Sequence, residues 1–136
     1  MSVDMTPDSF AAVRGAIATR QAQLVTIRRD IHRHPEISWQ EQRTTALVCD
    51  LLEEGGLKPT RLSKSGLVVD IGAEDAAYRV ALRADIDALP VRERTGLDFA
   101  SVSPGVCHAC GHDVHTTALV GAGLALAGQD EALRAA

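Results

Sequence analysis

Phe10, Val13, Ile17, Leu24, Ile27 and Ile31 recur at spacings of three, four and seven, the signature of one helical face. The pattern predicts a first helix from about Asp8 or Ser9 to His34, with Ser9 able to cap its start and Pro35 ending it. Arg14, Arg20, Gln21, Arg28 and Arg29 fall on the opposite face, which should be solvated. Ser38, followed three residues later by Glu41, reads as a capping box and predicts a second helix to about Glu54. Ala46, Leu47, Leu51 and, at the margin, Val48 form its buried side, and Gly55-Gly56 ends it by taking the left-handed conformation.

The pattern then shortens. Leu57–Leu62 is a weak strand candidate because it contains Pro59. Leu67–Ile71, bounded by Gly66 and Gly72, is better, and Tyr78–Ala84 is best. In the last of these, apolar and arginine residues do not alternate cleanly, as expected of a strand covered on both faces. The loop Gly72–Ala77 would join these two strands as a hairpin. The third strand runs out into Asp85-Ile86-Asp87-Ala88-Leu89-Pro90. Aspartates separated by one residue project to opposite faces of an ideal strand, so Asp85 and Asp87 share a site only if the strand has ended. A last helix is expected from about Asp113 to Gly128, where Gly121, Ala122, Gly123, Ala125 and Ala127 leave room for close packing on a sheet. The order helix, helix, strands, site loop, helix predicts an α/β fold, and part of a larger sheet rather than a closed small one.

Composition narrows the function classes. Apolar residues make up 46% of the 136 and aromatic residues 3%, so the core is aliphatic. A net charge of −4, with no basic run, argues against a nucleic-acid partner. No stretch reaches the roughly 18 apolar residues of a membrane helix, and the acidic start, Met1 to Phe10, does not read as a signal peptide. Three cysteines make no disulfide framework, which points to a cytoplasmic chain with reduced thiols.

The chemistry concentrates between Ser101 and His115, where Cys107, His108, Cys110, His112, Asp113 and His115 lie within fifteen residues, ahead of a helix N-terminus. These side chains bind borderline and soft divalent metals. Cys110 and His112 can meet one metal, or flank two, if Gly111 turns the backbone sharply. Asp85 and Asp87 are carboxylates that could ligate directly or fix a histidine tautomer. Cys107-His108-Ala109-Cys110 also fits a thiol-redox motif. A haem attachment site would need histidine where Gly111 stands, and a zinc ribbon would need a second cysteine pair. His32 and His34 read as capping and packing residues, Glu53-Glu54 as a solvated face, and Cys49 as a small buried apolar group.

Three segments in order, Asp30-Ile31-His32-Arg33-His34-Pro35-Glu36-Ile37-Ser38, Leu82-Arg83-Ala84-Asp85-Ile86-Asp87-Ala88-Leu89-Pro90 and His108-Ala109-Cys110-Gly111-His112-Asp113, resemble the amidohydrolase branch of the aminoacylase and carboxypeptidase metallopeptidase family. That branch includes hippurate hydrolases, N-acyl-amino-acid hydrolases and indole-acetyl-amino-acid hydrolases. The resemblance implies the N-terminal part of a zinc-peptidase-like catalytic domain, with helices packed on a mixed sheet. It implies that Cys110 is a thiolate bridging two divalent ions (zinc, manganese or cobalt), that His112 ligates one of them, and that the catalytic Asp87 orients the centre. Asp85, where other branches carry a histidine ligand, and Asp113 are expected to support the ligands rather than to ligate. The implied reaction is hydrolysis of an N-acyl amino acid or small peptide by a metal-activated water, in a protein that allows homo-oligomers. The family's proton-shuttling glutamate, its neighbouring metal-binding glutamate, two further histidine ligands and the lid domain match nothing here. The chain alone is therefore expected to be inactive, with a non-catalytic metal-binding fragment or a thiol-redox protein using Cys107 and Cys110 as the alternatives.

Overall fold

The computed structural model describes residues 7–129, with side chains from Phe10 onward. The elements are α1 (Pro7–Thr19), α2 (Gln21–Arg33), α3 (Gln42–Glu54), β1 (Thr60–Arg61), β2 (Leu67–Val68) and α4 (His112–Ala127). Helix α4 is the hub and packs against α1, α2 and α3. It can approach closely because it carries glycine at the contacts: a Cβ on Gly121 would stand 3.0 Å from Leu24 Cδ1. Val48, Leu52, Val120 and Leu124 form the buried aliphatic cluster, with Leu51, Leu57, Leu67 and Val69 packed on it. Each such side chain contributes roughly 1.5–3 kcal/mol when fully buried.

The single first helix expected from periodicity is two. Thr19 Oγ1 and Arg20 Nη1 both donate to the Ala16 carbonyl, each at 3.0 Å. The Arg20 N–H turns instead to Ile17 O, one residue closer, at 3.0 Å. The helix tightens there and restarts at once with Leu24 N donating to Arg20 O. α1 also begins at Pro7, a residue preadapted to a first helical turn, two positions ahead of Ser9. The buried end of the predicted face is Ile27 and Ile31, whereas Phe10 and Ile17 are exposed.

The capping box does not form. Residues 37–40 make a turn in which Trp39 takes a left-handed φ of 68°, and α3 starts only at Gln42. Its first N–H groups are taken by Glu36, whose carboxylate accepts from Arg43 N at 2.9 Å, Thr44 N at 2.7 Å and Thr44 Oγ1 at 2.8 Å. Trp39 itself is exposed, with Lys64 Nζ 4.9 Å above its ring.

The fold is α/β, with a short ladder. β1 and β2 pair antiparallel, Thr60 opposite Val68 and Arg61 opposite Leu67. Leu62 N donates to Gly66 O, so the hairpin falls between the first two strand candidates rather than the last two. Tyr78–Ala84 joins no ladder: no described backbone lies alongside to pair with it, and Tyr78, Val80 and Leu82 stand 90%, 88% and 65% exposed. Pairing resumes just beyond it. Ala88 bridges Ile37 in parallel while Leu89 bridges Cys107 antiparallel, so one segment carries neighbours of both senses. That segment delivers Asp87 to the start of α4.

Candidate functional site

The site is built where the Ala88–Leu89 segment meets the turn before α4. Leu89 and Cys107 exchange both backbone hydrogen bonds at 3.0 Å, which fixes the chain as it enters the turn. Gly111, with φ +80°, then reverses direction in a conformation that favours glycine, and α4 begins at His112. Cys110 is exposed at the lip of this turn.

His112 is half-buried and oriented from one side. Its Nδ1 lies 2.9 Å from the Asp87 carbonyl and 2.9 Å from Asp87 Oδ1. Both partners accept, so Nδ1 carries the proton and Nε2 presents its lone pair. No hydrogen bond to Nε2 is found among the described residues. The other oxygen of Asp87 accepts from Ser38 Oγ at 2.5 Å. The Ser38 hydroxyl, opposed by partial burial and helped by His112, holds the Asp87 carboxyl below its usual range. Ser38, expected to cap a helix, thus serves the site.

The two aspartates diverge, although no strand runs through them. Asp85 pairs through its carboxylate with Arg83 and accepts from Thr116 Oγ1 through its carbonyl at 3.0 Å. Asp113 faces inward from the first turn of α4 and is fully buried. There Arg28 Nε and His32 Nδ1 each lie 2.8 Å from its Oδ2. His32 Nε2 reaches Glu93 Oε1 at 3.0 Å, and Glu93 also accepts from Thr95 Oγ1 at 2.5 Å and Ser101 N at 2.6 Å. Phe99 closes the cluster, edge-on to His32 and under the Arg28 and Arg29 guanidiniums.

Cys107 and His108 are buried beside this cluster. Burial, reinforced by the Glu93 charge, pushes the Cys107 thiol up, which opposes its use as a thiolate. Burial pushes the His108 imidazole down, favouring its neutral form, and neither of its ring nitrogens finds a hydrogen-bond partner among the described residues. His115 lies one helical turn from His112, ring centroids 5.8 Å apart, and is exposed.

A carboxylate-bound imidazole with its second nitrogen open, two residues from an exposed thiol, suits a soft or borderline divalent ion. It is also a partial set. Among the described residues no group of three or more His, Cys, Asp or Glu side chains could hold a metal ion, and catalytic zinc normally takes three protein donors. Sequence reasoning located Cys110, His112 and Asp87 but not Ser38, Glu93 or Arg28. Their partners lie 49, 61 and 85 residues away along the chain, where periodicity carries no signal. Among the described residues no helix is long and apolar enough to cross a membrane.

Comparison with known proteins finds one family model and several named hydrolases among the relatives. Residues 81–135 match the model of peptidase family M20/M25/M40. The chain is 47% identical over 120 residues to N-acetyl-L-cysteine deacetylase of Bacillus subtilis, a match covering 87% of this chain and 29% of that one. It is 41% identical over 102 residues to N-acyl-L-amino acid amidohydrolase of Geobacillus stearothermophilus, covering 74% and 28% respectively. A solved Bacillus subtilis structure, described as a dinuclear metal binding peptidase from the M20 family, superposes with a TM-score of 0.71 at 41% identity. That superposition covers 76% of this chain and 30% of the other. The chain thus spans under a third of the length of these relatives.

Proposed function

We propose, from a chain whose residues 81–135 match the model of peptidase family M20/M25/M40, that these residues supply one side of the metal centre of an amidohydrolase. The single observation that carries the reading is His112, its Nδ1 committed to Asp87 and its Nε2 open, two residues from the exposed Cys110 thiol. Cys110, as a thiolate, and His112 would hold divalent metal of the zinc, manganese or cobalt type. Bound divalent ions would supply a Lewis acid that polarises an amide carbonyl and acidifies water.

The chain's own residues position that chemistry. Asp87 keeps the His112 proton on Nδ1, and Ser38 keeps Asp87 ionised and pointed. Asp85 steadies the first turns of α4 through its carbonyl bond to Thr116. Asp113 anchors the same turn from beneath. The substrates are N-acyl amino acids or small peptides, in keeping with the names of the relatives, and the working location is the cytoplasm. The proton-shuttling carboxylate and the remaining ligands come from outside these 136 residues, so this chain alone binds metal weakly and does not hydrolyse amides. The buried, up-shifted thiol of Cys107 weighs against the redox alternative.

Titration with Co²⁺ tests the assignment. The wild-type chain gives a thiolate-to-cobalt charge-transfer band that Cys110→Ser abolishes and Cys107→Ser leaves in place. A band that survives Cys110→Ser, or none in the wild type, refutes the ligand assignment. Turnover of an N-acetyl amino acid by the isolated chain, lost in Cys110→Ser, would refute its incompleteness.

A further inference from the structure

We propose that His32 is a positioning residue for the Cys110–His112 turn, acting as a buried bridge between Asp113 and Glu93. The inference rests on the reading of Cys110 and His112 as metal donors.

Three observations carry it. First, His32 bonds a carboxylate at each ring nitrogen, Asp113 Oδ2 at 2.8 Å and Glu93 Oε1 at 3.0 Å. With a carboxylate at each nitrogen the ring has no rotational freedom left. Second, all three side chains are sequestered, at 9%, 0% and 8% exposure for His32, Asp113 and Glu93. A charge-assisted pair held out of water is strong and costly to break. Third, the two ends of the bridge fasten the two approaches to the turn. Asp113 directly follows His112. Glu93 holds Ser101 N, and Ser101 Oγ donates to Val106 O at 2.7 Å, directly before Cys107. Arg28 also reaches Asp113 and packs on Phe99, but no hydrogen bond or ion pair joins it to Glu93 among the described residues. Among the described side chains His32 alone links Asp113 to Glu93 by hydrogen bonds, and so ties α2 to both approaches to the turn.

The test uses His32→Gln in the 136-residue chain, read by far-ultraviolet circular dichroism, by the NMR signal of the His112 Nδ1 proton, and by Co²⁺ affinity. The expected result is retained helix signal, loss of the protected His112 Nδ1 proton, and Co²⁺ affinity weaker by about tenfold, the low end of the cost of losing a direct partner of a metal ligand. A purely stabilising role would lower the unfolding midpoint and leave the other two readouts of the folded protein unchanged; that outcome overturns the proposal. If His32→Gln does not fold, Glu93→Gln decides, because it keeps the side chain's shape while neutralising one end of the bridge. An unchanged His112 proton signal and unchanged affinity in that variant overturn the proposal equally. A wild-type chain with no Cys110-dependent cobalt band, whose His112 proton signal is nevertheless lost in His32→Gln, refutes the metal reading and leaves the positioning role standing.

Discussion

Glu93 sits where burial alone would raise its pKa, yet the Thr95 hydroxyl, the Ser101 N–H and His32 together hold it down to about 2. An acid whose folded value lies below its unfolded one contributes stability in full above the unfolded value, here near 4.5. That contribution is lost as pH falls toward 2. Thermal melts between these limits should therefore show a falling midpoint, and Glu93→Gln should flatten that fall while lowering stability at neutral pH. Nothing local in the sequence marks Glu93, which sits among arginines and a turn and reads as a surface residue. Cys110 and His112 were legible because donor type and spacing are local properties. The direction of each aspartate was legible only as a condition: Asp85 and Asp87 would diverge on a strand and could share a site beyond its end, and the one that meets His112 is the one held by Ser38 from another segment.

At the scale of elements, the end of α3 separates two glycines that look equivalent in sequence. Gly55 has an ordinary φ of −77°, and the left-handed position is Gly56, at +82°. Gly55 is needed for space: a Cβ there would lie 2.2 Å from Leu124 Cδ2, inside the core cluster. Gly55→Ala should therefore destabilise by about 1–3 kcal/mol through overpacking, measured by urea denaturation. Gly56→Ala, which meets nothing within 4 Å, should cost only the strain of its backbone, about 1–2 kcal/mol. The helices were readable because a 3.6-residue period survives local detail. Their ends were not, because they turn on competition for single carbonyls and N–H groups. The Ala16 carbonyl is claimed by two side chains at the break before α2, and the start of α3 is claimed by Glu36 ahead of Ser38. Tyr78–Ala84 has strand composition, but a strand exists only with a neighbour, and composition does not supply one.

For the molecule as a whole, that unpaired segment matters most. Tyr78, Val80 and Leu82 expose apolar side chains at alternate positions beside open backbone groups, a surface that invites association. The isolated chain should therefore self-associate in a concentration-dependent way by light scattering, and Val80→Lys should reduce it. A sharp monomer at high concentration would contradict this. In the longer protein proposed above, the same segment would be covered by the rest of the catalytic domain. The turn at Trp39 has a different consequence. This is the chain's single tryptophan; it is water-exposed and carries a lysine ammonium over its ring. Its neighbour Ser38 grips the aspartate that steers His112. The indole is thus a built-in fluorophore wired by one peptide bond to the site. Its emission should therefore change when Co²⁺ is added to the chain, an outcome that a fluorescence titration without any label checks.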